Sequence, residues 1–192
     1  MNKALFLDRD GVLDELVYYE SSSEWESPRT LADVKMIEGI TGPLQRFVDE
    51  EWLLVIITNQ PSYAKGKTSM QSLLDVHEDI VDRLGVEVAA SYLCFHHPDA
   101  LVEELRVQCE CRKPRAQSLI DAARELSIDL ERSWMVGDQD SDLAAGRAAG
   151  CKVALIEHPR SAHKRGKVVP DLVVRDLEEL ATSLIPTSSV AS

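Results

Sequence analysis

Apolar positions along the chain change period several times, and each change marks an element. Residues 4–7 form a short unbroken apolar run that stops at Asp8, the pattern of a buried strand. Over residues 39–51 the apolar Ile40, Leu44, Phe47 and Val48 recur at helical spacing, which predicts a helix. Residues 53–57 are Leu, Val and Ile without interruption, as in a strand buried on both faces. Met70, Leu73, Leu74, Ile80, Val81 and Leu84 then predict a helix over 68–84, with Thr68 or Ser69 as its cap. A strand is predicted over 88–95, and a helix over 114–127 with Pro114 in its first turn, where a missing N–H is harmless. A strand over 134–136 leads into Gly137-Asp138. An Ala-rich helix over 141–149 is closed by Gly150. Strands over 152–156 and 172–174 and a helix over 176–184 complete the pattern.

Alternating strands and helices predict an α/β fold, a Rossmann-like three-layer α/β/α sandwich on a mainly parallel sheet. One domain is expected over residues 1–185, with the Ser/Thr-rich 186–192 as a flexible tail. Two stretches, 13–36 and 96–112, show no clear period, and long loops in a compact domain are often functional. Parallel sheets bind ligands beyond the carboxyl ends of their strands. Three predicted strand ends there are polar: Asp8-Arg9-Asp10-Gly11, Thr58-Asn59-Gln60 and Gly137-Asp138.

Composition narrows the function. Of 192 residues, 44% are hydrophobic and 28% charged, ordinary for a chain with a large core. The net charge of −12 disfavours a nucleic-acid partner. It would equally repel a phosphorylated metabolite unless a cation or a few placed bases offset it locally. The longest apolar run, residues 52–57, is far short of the roughly 20 residues a membrane span needs. The apolar stretch before Asp8 is too short for a secretion signal. A cytoplasmic monomer without membrane attachment is expected, and in a reducing compartment clustered cysteines favour metal over disulfides.

Asp8 and Asp10 follow one strand; Asp138, Asp140 and Asp142 follow another. In a parallel sheet these carboxylates converge, and they repel one another unless a cation lies between them. Hard oxygen ligands with room for water suit Mg²⁺. Singly, Asp-Gly reads as a turn and Gly-Asp as a helix cap; together they indicate a site. Cys94-Phe95-His96 and Cys109-Glu110-Cys111 bracket the second aperiodic stretch. Three thiolates and an imidazole have the composition of a closed Zn²⁺ site, the alternatives being unligated thiols or disulfides. The pairs are tighter than C-x₂-C, and the second runs into Arg112-Lys113, so a metal would hold those bases as well as the loop. Cys151 sits in an apolar run and reads as core.

Asp8-Arg9-Asp10-Gly11-Val12, Thr58-Asn59-Gln60, Arg112-Lys113-Pro114 and Gly137-Asp138-Gln139-Asp140-Ser141-Asp142 resemble, in order, the four motifs of the haloacid dehalogenase (HAD) superfamily of phosphatases. The resemblance implies a HAD-like fold and an aspartyl-phosphate mechanism. Asp8 would be the nucleophile, and Asp10 the acid that protonates the leaving group and then the base toward water. Mg²⁺ would be held by Asp8, the Asp10 backbone carbonyl and Asp138, with Asp142 orienting Lys113 or a metal-bound water. Thr58 and Lys113 would stabilise the phosphoryl oxygens.

The Cys/His loop resembles the zinc loop of subfamily IIIA, that of the heptose-bisphosphate phosphatases, and the similar loop of histidinol-phosphate phosphatases. This implies that Cys94, His96, Cys109 and Cys111 bind zinc; His97 either supports them or packs on Pro98. It also implies removal of the 7-phosphate from D-glycero-D-manno-heptose 1,7-bisphosphate, with Asn59, Gln60 and Arg112 on the substrate. Lys65 or Lys67 would meet a second phosphate or be solvated. Residues 13–36 are longer than that family's loop, and Pro61-Ser62 replaces its usual Ser-Gly. Tyr18, Tyr19, Trp25 and Arg29 lie in this stretch, where aromatics either stack on a sugar or cover core. No large cap is expected. The alternatives are a histidinol-phosphate phosphatase, with Glu15 or Glu20 facing the amine, a polynucleotide phosphatase, which the acidic balance opposes, and a zinc-stabilised binding protein without catalysis.

Overall fold

The computed structural model describes residues 1–185; the expected tail at 186–192 lies outside the described residues. Six parallel strands form one sheet: β1 (Lys3–Leu7), β4 (Trp52–Asn59), β5 (Ala90–Cys94), β6 (Trp134–Gly137), β7 (Lys152–Ile156) and β8 (Leu172–Val174). Their order across the sheet is β5-β4-β1-β6-β7-β8. Two further strands, β2 (Val17–Tyr19) and β3 (Glu24–Glu26), pair antiparallel as a separate hairpin. The helices are α1 (Thr41–Asp49), α2 (Met70–Leu84), α3 (Gln117–Glu125), α4 (Asp140–Ala149) and α5 (Leu177–Leu184). Among the described residues, no helix is long and apolar enough to cross a membrane.

Strand residues alternate between two apolar cores, as a two-residue side-chain period demands. Leu5, Leu7, Leu54, Ile56, Val136 and Ala154 pack with Leu44 and Phe47 of α1 and with Leu177, Leu180 and Ala181 of α5. Ala4, Phe6, Val55, Ile57, Met135 and Val153 pack with Leu119 and Ala122 of α3 and Leu143 and Ala145 of α4. Both faces of the sheet are thus covered, which is why the strand sequences read as continuous apolar runs. Among the described residues, no large cap stands over the sheet's carboxyl edge.

Three expectations need correction. Residues 13–36 hold the β2–β3 hairpin and a 3₁₀ turn at Leu31–Asp33; its three-residue strands are too short to show a period. Pro114 stands three residues ahead of α3, which starts at Gln117, because residues 110–116 are spent on the turn that carries Lys113 inward. Leu74, expected in the buried stripe of α2, is 37% exposed; His77 takes a buried place instead. Of the two expected caps for α2, Ser69 is the one that serves, accepting a hydrogen bond from the Ser72 N–H at 3.0 Å.

Phe47 is fully buried and meets Trp52 edge to face, ring centroids 5.4 Å apart. Phe47→Ala should lower the unfolding free energy by about 3–5 kcal/mol through lost burial and a residual cavity. Leu74→Ala should stay within about 0.5 kcal/mol. Urea denaturation of both variants checks this, and equal losses would mean the two helices bury different faces from those described.

Candidate functional site

The site forms where the sheet reverses its direction of growth. From β1 the chain builds outward through β4 to β5, then returns to lay β6, β7 and β8 on the other flank. β1 and β6 are neighbours in register, so Asp8 and Asp138 leave adjacent strands at the same edge, the usual place for a ligand in such sheets.

A tight turn after β1 brings these groups together. The Arg9 carbonyl accepts N–H groups from Leu13 at 2.7 Å and Val12 at 3.2 Å. Gly11 takes φ +90°, and a Cβ there would lie 2.5 Å from Asp138 Oδ2; only glycine permits both the conformation and the approach. A Cβ on Gly137 would lie 2.2 Å from that of Asp142, so the first turn of α4 packs directly on the end of β6.

Lys113 enters from the opposite flank. Asn59, at the end of β4, clamps its backbone: the Asn59 amide donates to the Lys113 carbonyl and accepts the Lys113 N–H, both at 3.1 Å. The Lys113 ammonium, 3% exposed, lies 2.7 Å from Asp8 Oδ1 and 2.7 Å from Asp142 Oδ1. It donates to the Ile57 carbonyl at 2.7 Å, so all three of its N–H donors have partners.

Charge at this edge is unbalanced. Asp8, Asp10, Asp14, Asp138 and Asp142 are all buried, against only Arg9 and Lys113 among buried cations. Burial, then Asp142, push the Asp8 carboxyl up to about 7; burial, then Asp8, push Asp138 up to about 7. Asp142 is also raised by burial, with Lys113 opposing. Burial disfavours the Lys113 cation, yet Asp142 and Asp8 outweigh it and hold its pKa above the usual lysine value. Both oxygens of Asp138 are buried without a hydrogen-bond partner. Oxygens of Asp8, Asp138 and Asp142 lie within 4.8 Å of one another. An all-oxygen donor set with excess negative charge and orphaned carboxylate oxygens fits a hard divalent cation.

Asp10 is held from two sides. Arg9 Nη2 lies 2.9 Å from Asp10 Oδ1, and Gln60 Nε2 donates to Asp10 Oδ2 at 2.6 Å. Thr58 Oγ1 reaches the same oxygen at 3.4 Å and accepts from Gln60 at 2.9 Å. Asp8, Asp10, Asn59, Arg112 and Lys113 line a cavity of about 340 Å³. Lys65, Lys67 and Lys164 add positive charge to its wall; Glu24, Trp25 and Glu26 enter from the hairpin. Gln60, expected on the substrate, is fully buried with its amide turned to Asp10, so it braces the carboxylate instead. Asn59 lines the cavity, but its amide is committed to Lys113.

The second cluster lies beside the first. Cys94 Sγ is 3.5 Å from Cys109 Sγ and 3.3 Å from Cys111 Sγ; Cys109 and Cys111 are 3.2 Å apart. His96 Nδ1 lies 3.4 Å from Cys111 Sγ and 3.8 Å from Cys94 Sγ. Four donors about 2.3 Å from a tetrahedral centre would stand about 3.7 Å apart, so the set fits a closed tetrahedral metal site. The cysteines form no disulfides. His97 accepts the Asp99 N–H at 3.0 Å and serves the loop's own turn. Glu15 is paired with Arg160 and His158, and neither Glu15 nor Glu20 lines the cavity.

Arg9, Asp14 and Lys164 were missed as site residues. An Arg between two Asp at a strand end does signal a buried ion pair, and Asp14 follows from it. Lys164 carries no such signal. It stands at the end of the Pro159–Lys164 3₁₀ segment. Asp140 pins the segment behind it, accepting N–H groups from Gly166 at 3.2 Å, Lys167 at 3.0 Å and Val168 at 3.0 Å.

The HAD-hydrolase-like family model matches residues 110–180. A curated relative, D-glycero-beta-D-manno-heptose-1,7-bisphosphate 7-phosphatase of Photorhabdus laumondii, is 32% identical over 94% of this chain and 94% of its own. The D-glycero-alpha-D-manno-heptose-1,7-bisphosphate 7-phosphatase of the same organism is 34% identical over 83% of this chain and 86% of its own. Among solved structures, the D,D-heptose 1,7-bisphosphate phosphatase from B. bronchiseptica, complexed with magnesium and phosphate, superposes with a TM-score of 0.77. It is 28% identical and covers 95% of this chain and 97% of its own.

A raised carboxyl pKa gives stability that is intact below the unfolded value, near 4, and is lost as pH climbs toward the folded value, about 7 for Asp8 and Asp138. A cation held there restores what is lost. The rise in melting temperature on adding Mg²⁺ should therefore be small at pH 5 and grow through pH 7.5. A Mg²⁺ effect that is flat with pH would place the ion elsewhere.

Proposed function

The chain belongs to the D-glycero-D-manno-heptose-1,7-bisphosphate 7-phosphatase family of HAD-like hydrolases, and from that membership we propose that it hydrolyses the 7-phosphate of a heptose 1,7-bisphosphate through an aspartyl-phosphate on Asp8. The supporting observation is the buried Asp8–Lys113–Asp142 array, beside the uncompensated Asp138, opening into a cavity walled by Lys65, Lys67, Arg112 and Lys164.

In this reading an Asp8 carboxylate oxygen attacks phosphorus, and the bond from phosphorus to the sugar oxygen breaks. Asp10 gives its proton to the departing alkoxide. It then takes one from the water that cleaves the acyl phosphate, returning Asp8 and releasing phosphate. Gln60 and Arg9 fix the Asp10 carboxyl for both transfers. Lys113 and Thr58 offset charge on the phosphoryl oxygens. Mg²⁺ would be held by Asp8, Asp138 and the Asp10 carbonyl, and would supply the positive charge that lets a phosphate approach buried carboxylates. Zn²⁺ is the metal proposed for Cys94, His96, Cys109 and Cys111, where it would fix the loop that delivers Arg112 and Lys113. The protein acts as a monomer in this scheme. Matches to relatives named for both anomers leave the anomer to assay.

Phosphate release with Mg²⁺ tests the reading. Asp8→Asn should reduce turnover to background without unfolding. Asp10→Asn should slow it about 10²–10⁴-fold, most for the least acidic leaving groups. Turnover surviving in Asp8→Asn would sink the nucleophile assignment. Equal losses of Asp10→Asn across a leaving-group series would remove Asp10 as the acid.

Metal analysis should return one zinc per chain. Cys111→Ser should shed it and lower the melting temperature by at least about 5 °C, which is about 2 kcal/mol at this size. Unchanged melting after verified zinc loss would reduce the cluster to a bystander.

A further inference from the structure

The hairpin contributes one large apolar surface to the cavity, the indole of Trp25, and its surroundings hold that ring in place. Across the hairpin Trp25 pairs with Tyr18 in register, ring centroids 5.5 Å apart. The Arg160 guanidinium lies 4.3 Å from the Trp25 ring centroid. Arg160 does not itself line the cavity, whereas Trp25 does. Arg160 is fixed in turn, since it pairs with Glu15 and donates to the Leu16 carbonyl at 3.0 Å, at the root of the hairpin.

The hairpin is also tied to the far wall. The Glu26 carboxylate accepts from Lys67 at 2.6 Å, Ser22 at 2.5 Å and Arg29 at 3.0 Å. Burial opposes its charge, but these donors prevail and lower its pKa to about 2. Thr68 and Ser72, at the start of α2, donate to the Arg29 carbonyl at 2.9 and 2.8 Å. A ring seated between two such anchorages loses little entropy when a ligand meets it.

Most other lining groups are charged or small, among them Glu24, Glu26, Ser27, Lys65 and Lys67; Leu16 and Pro61 are the apolar ones besides Trp25. Charged walls select phosphate and hydroxyl groups, but they offer nothing to the C–H face of a carbon skeleton. A wide apolar ring does.

We propose that Trp25 is the specificity-determining contact for the carbon skeleton of the substrate, stacking on the C–H face of a polyhydroxylated sugar phosphate while the reacting phosphate sits at Asp8. This rests on the phosphatase reading above and extends it from the phosphate to the leaving group. Tyr18 and Tyr19 are not equivalent to Trp25. Tyr18 is 48% exposed outside the cavity, and Tyr19 is covered by Arg29, 3.7 Å from its ring centroid.

The test compares kcat/KM for hexose and heptose mono- and bisphosphates with that for acetyl phosphate, which has no skeleton to stack. In Trp25→Ala the sugar-to-acetyl-phosphate ratio should fall at least about 10-fold, the scale for losing one buried ring face. The loss should fall mainly in KM for the sugar substrates. Trp25→Phe should recover part of it. Tyr18→Ala, which loosens the same hairpin but leaves the indole under Arg160, should lower the ratio far less than Trp25→Ala does. An unchanged ratio in Trp25→Ala would overturn the proposal. So would equal falls in Trp25→Ala and Tyr18→Ala, because hairpin order and not the indole face would then be responsible. A wild type that turns over hexose phosphates but no heptose bisphosphate would defeat the substrate assignment and leave the Trp25 contact standing. A wild type with no preference for sugars over acetyl phosphate would defeat the Trp25 contact and leave the chemistry at Asp8.

Discussion

The carboxylates at the end of β1, on the turn after it and at the start of α4 are buried close to one another, and the rest of the architecture is arranged around their mutual repulsion. Parallel strands bring Asp8 and Asp138 side by side. Gly11 and Gly137 remove the side chains that would hold the loops apart. Two cations then enter from different directions. Arg9 comes from within the loop to serve Asp10, and Lys113 comes from a distant segment to bridge Asp8 and Asp142. These two still leave the edge short of positive charge, which is what makes it receptive to a metal ion. A chain of net charge −12 thus gathers its opposite sign around one opening, and Lys65, Lys67, Arg112 and Lys164 continue that bias outward.

Much of this was legible in the sequence because it depends on short-range pattern. Strands buried on both faces announce themselves as apolar runs, and the polar residues that stop those runs fall at the sheet's carboxyl edge by the geometry of parallel strands. The Cys/His pairs were legible because thiolates at tight spacing have few other uses. The relatives that match over nearly the whole chain carry names consistent with the expected fold and phosphatase class.

The rest was hidden because it depends on contacts between distant residues. The β2–β3 strands are three residues each, below the length at which alternation can be seen. Gln60 follows Thr58-Asn59 and so reads as a ligand contact, but just past the end of β4 its amide donates to Asp10 and Thr58, a long-range pairing that no local pattern shows. Lys164 is placed by a carboxylate at Asp140, pinning the residues that follow it. No local pattern encodes that arrangement. Trp25 was visible only as an aromatic in an aperiodic stretch. Its importance comes from Arg160, 135 positions later, lying over the ring.

Asn59 grips both backbone groups of Lys113, and the Cys109/Cys111 pair stands just ahead of it. The lysine is therefore located by its immediate flanks and not by the path the chain takes to reach it. Residues 97–108 close a loop whose two ends meet in the Cys/His cluster, and the entropy of closing such a loop changes only slowly with length. Evolution can lengthen, shorten or redecorate that segment, trying new surfaces over the same opening, while the reactive centre beneath keeps its alignment.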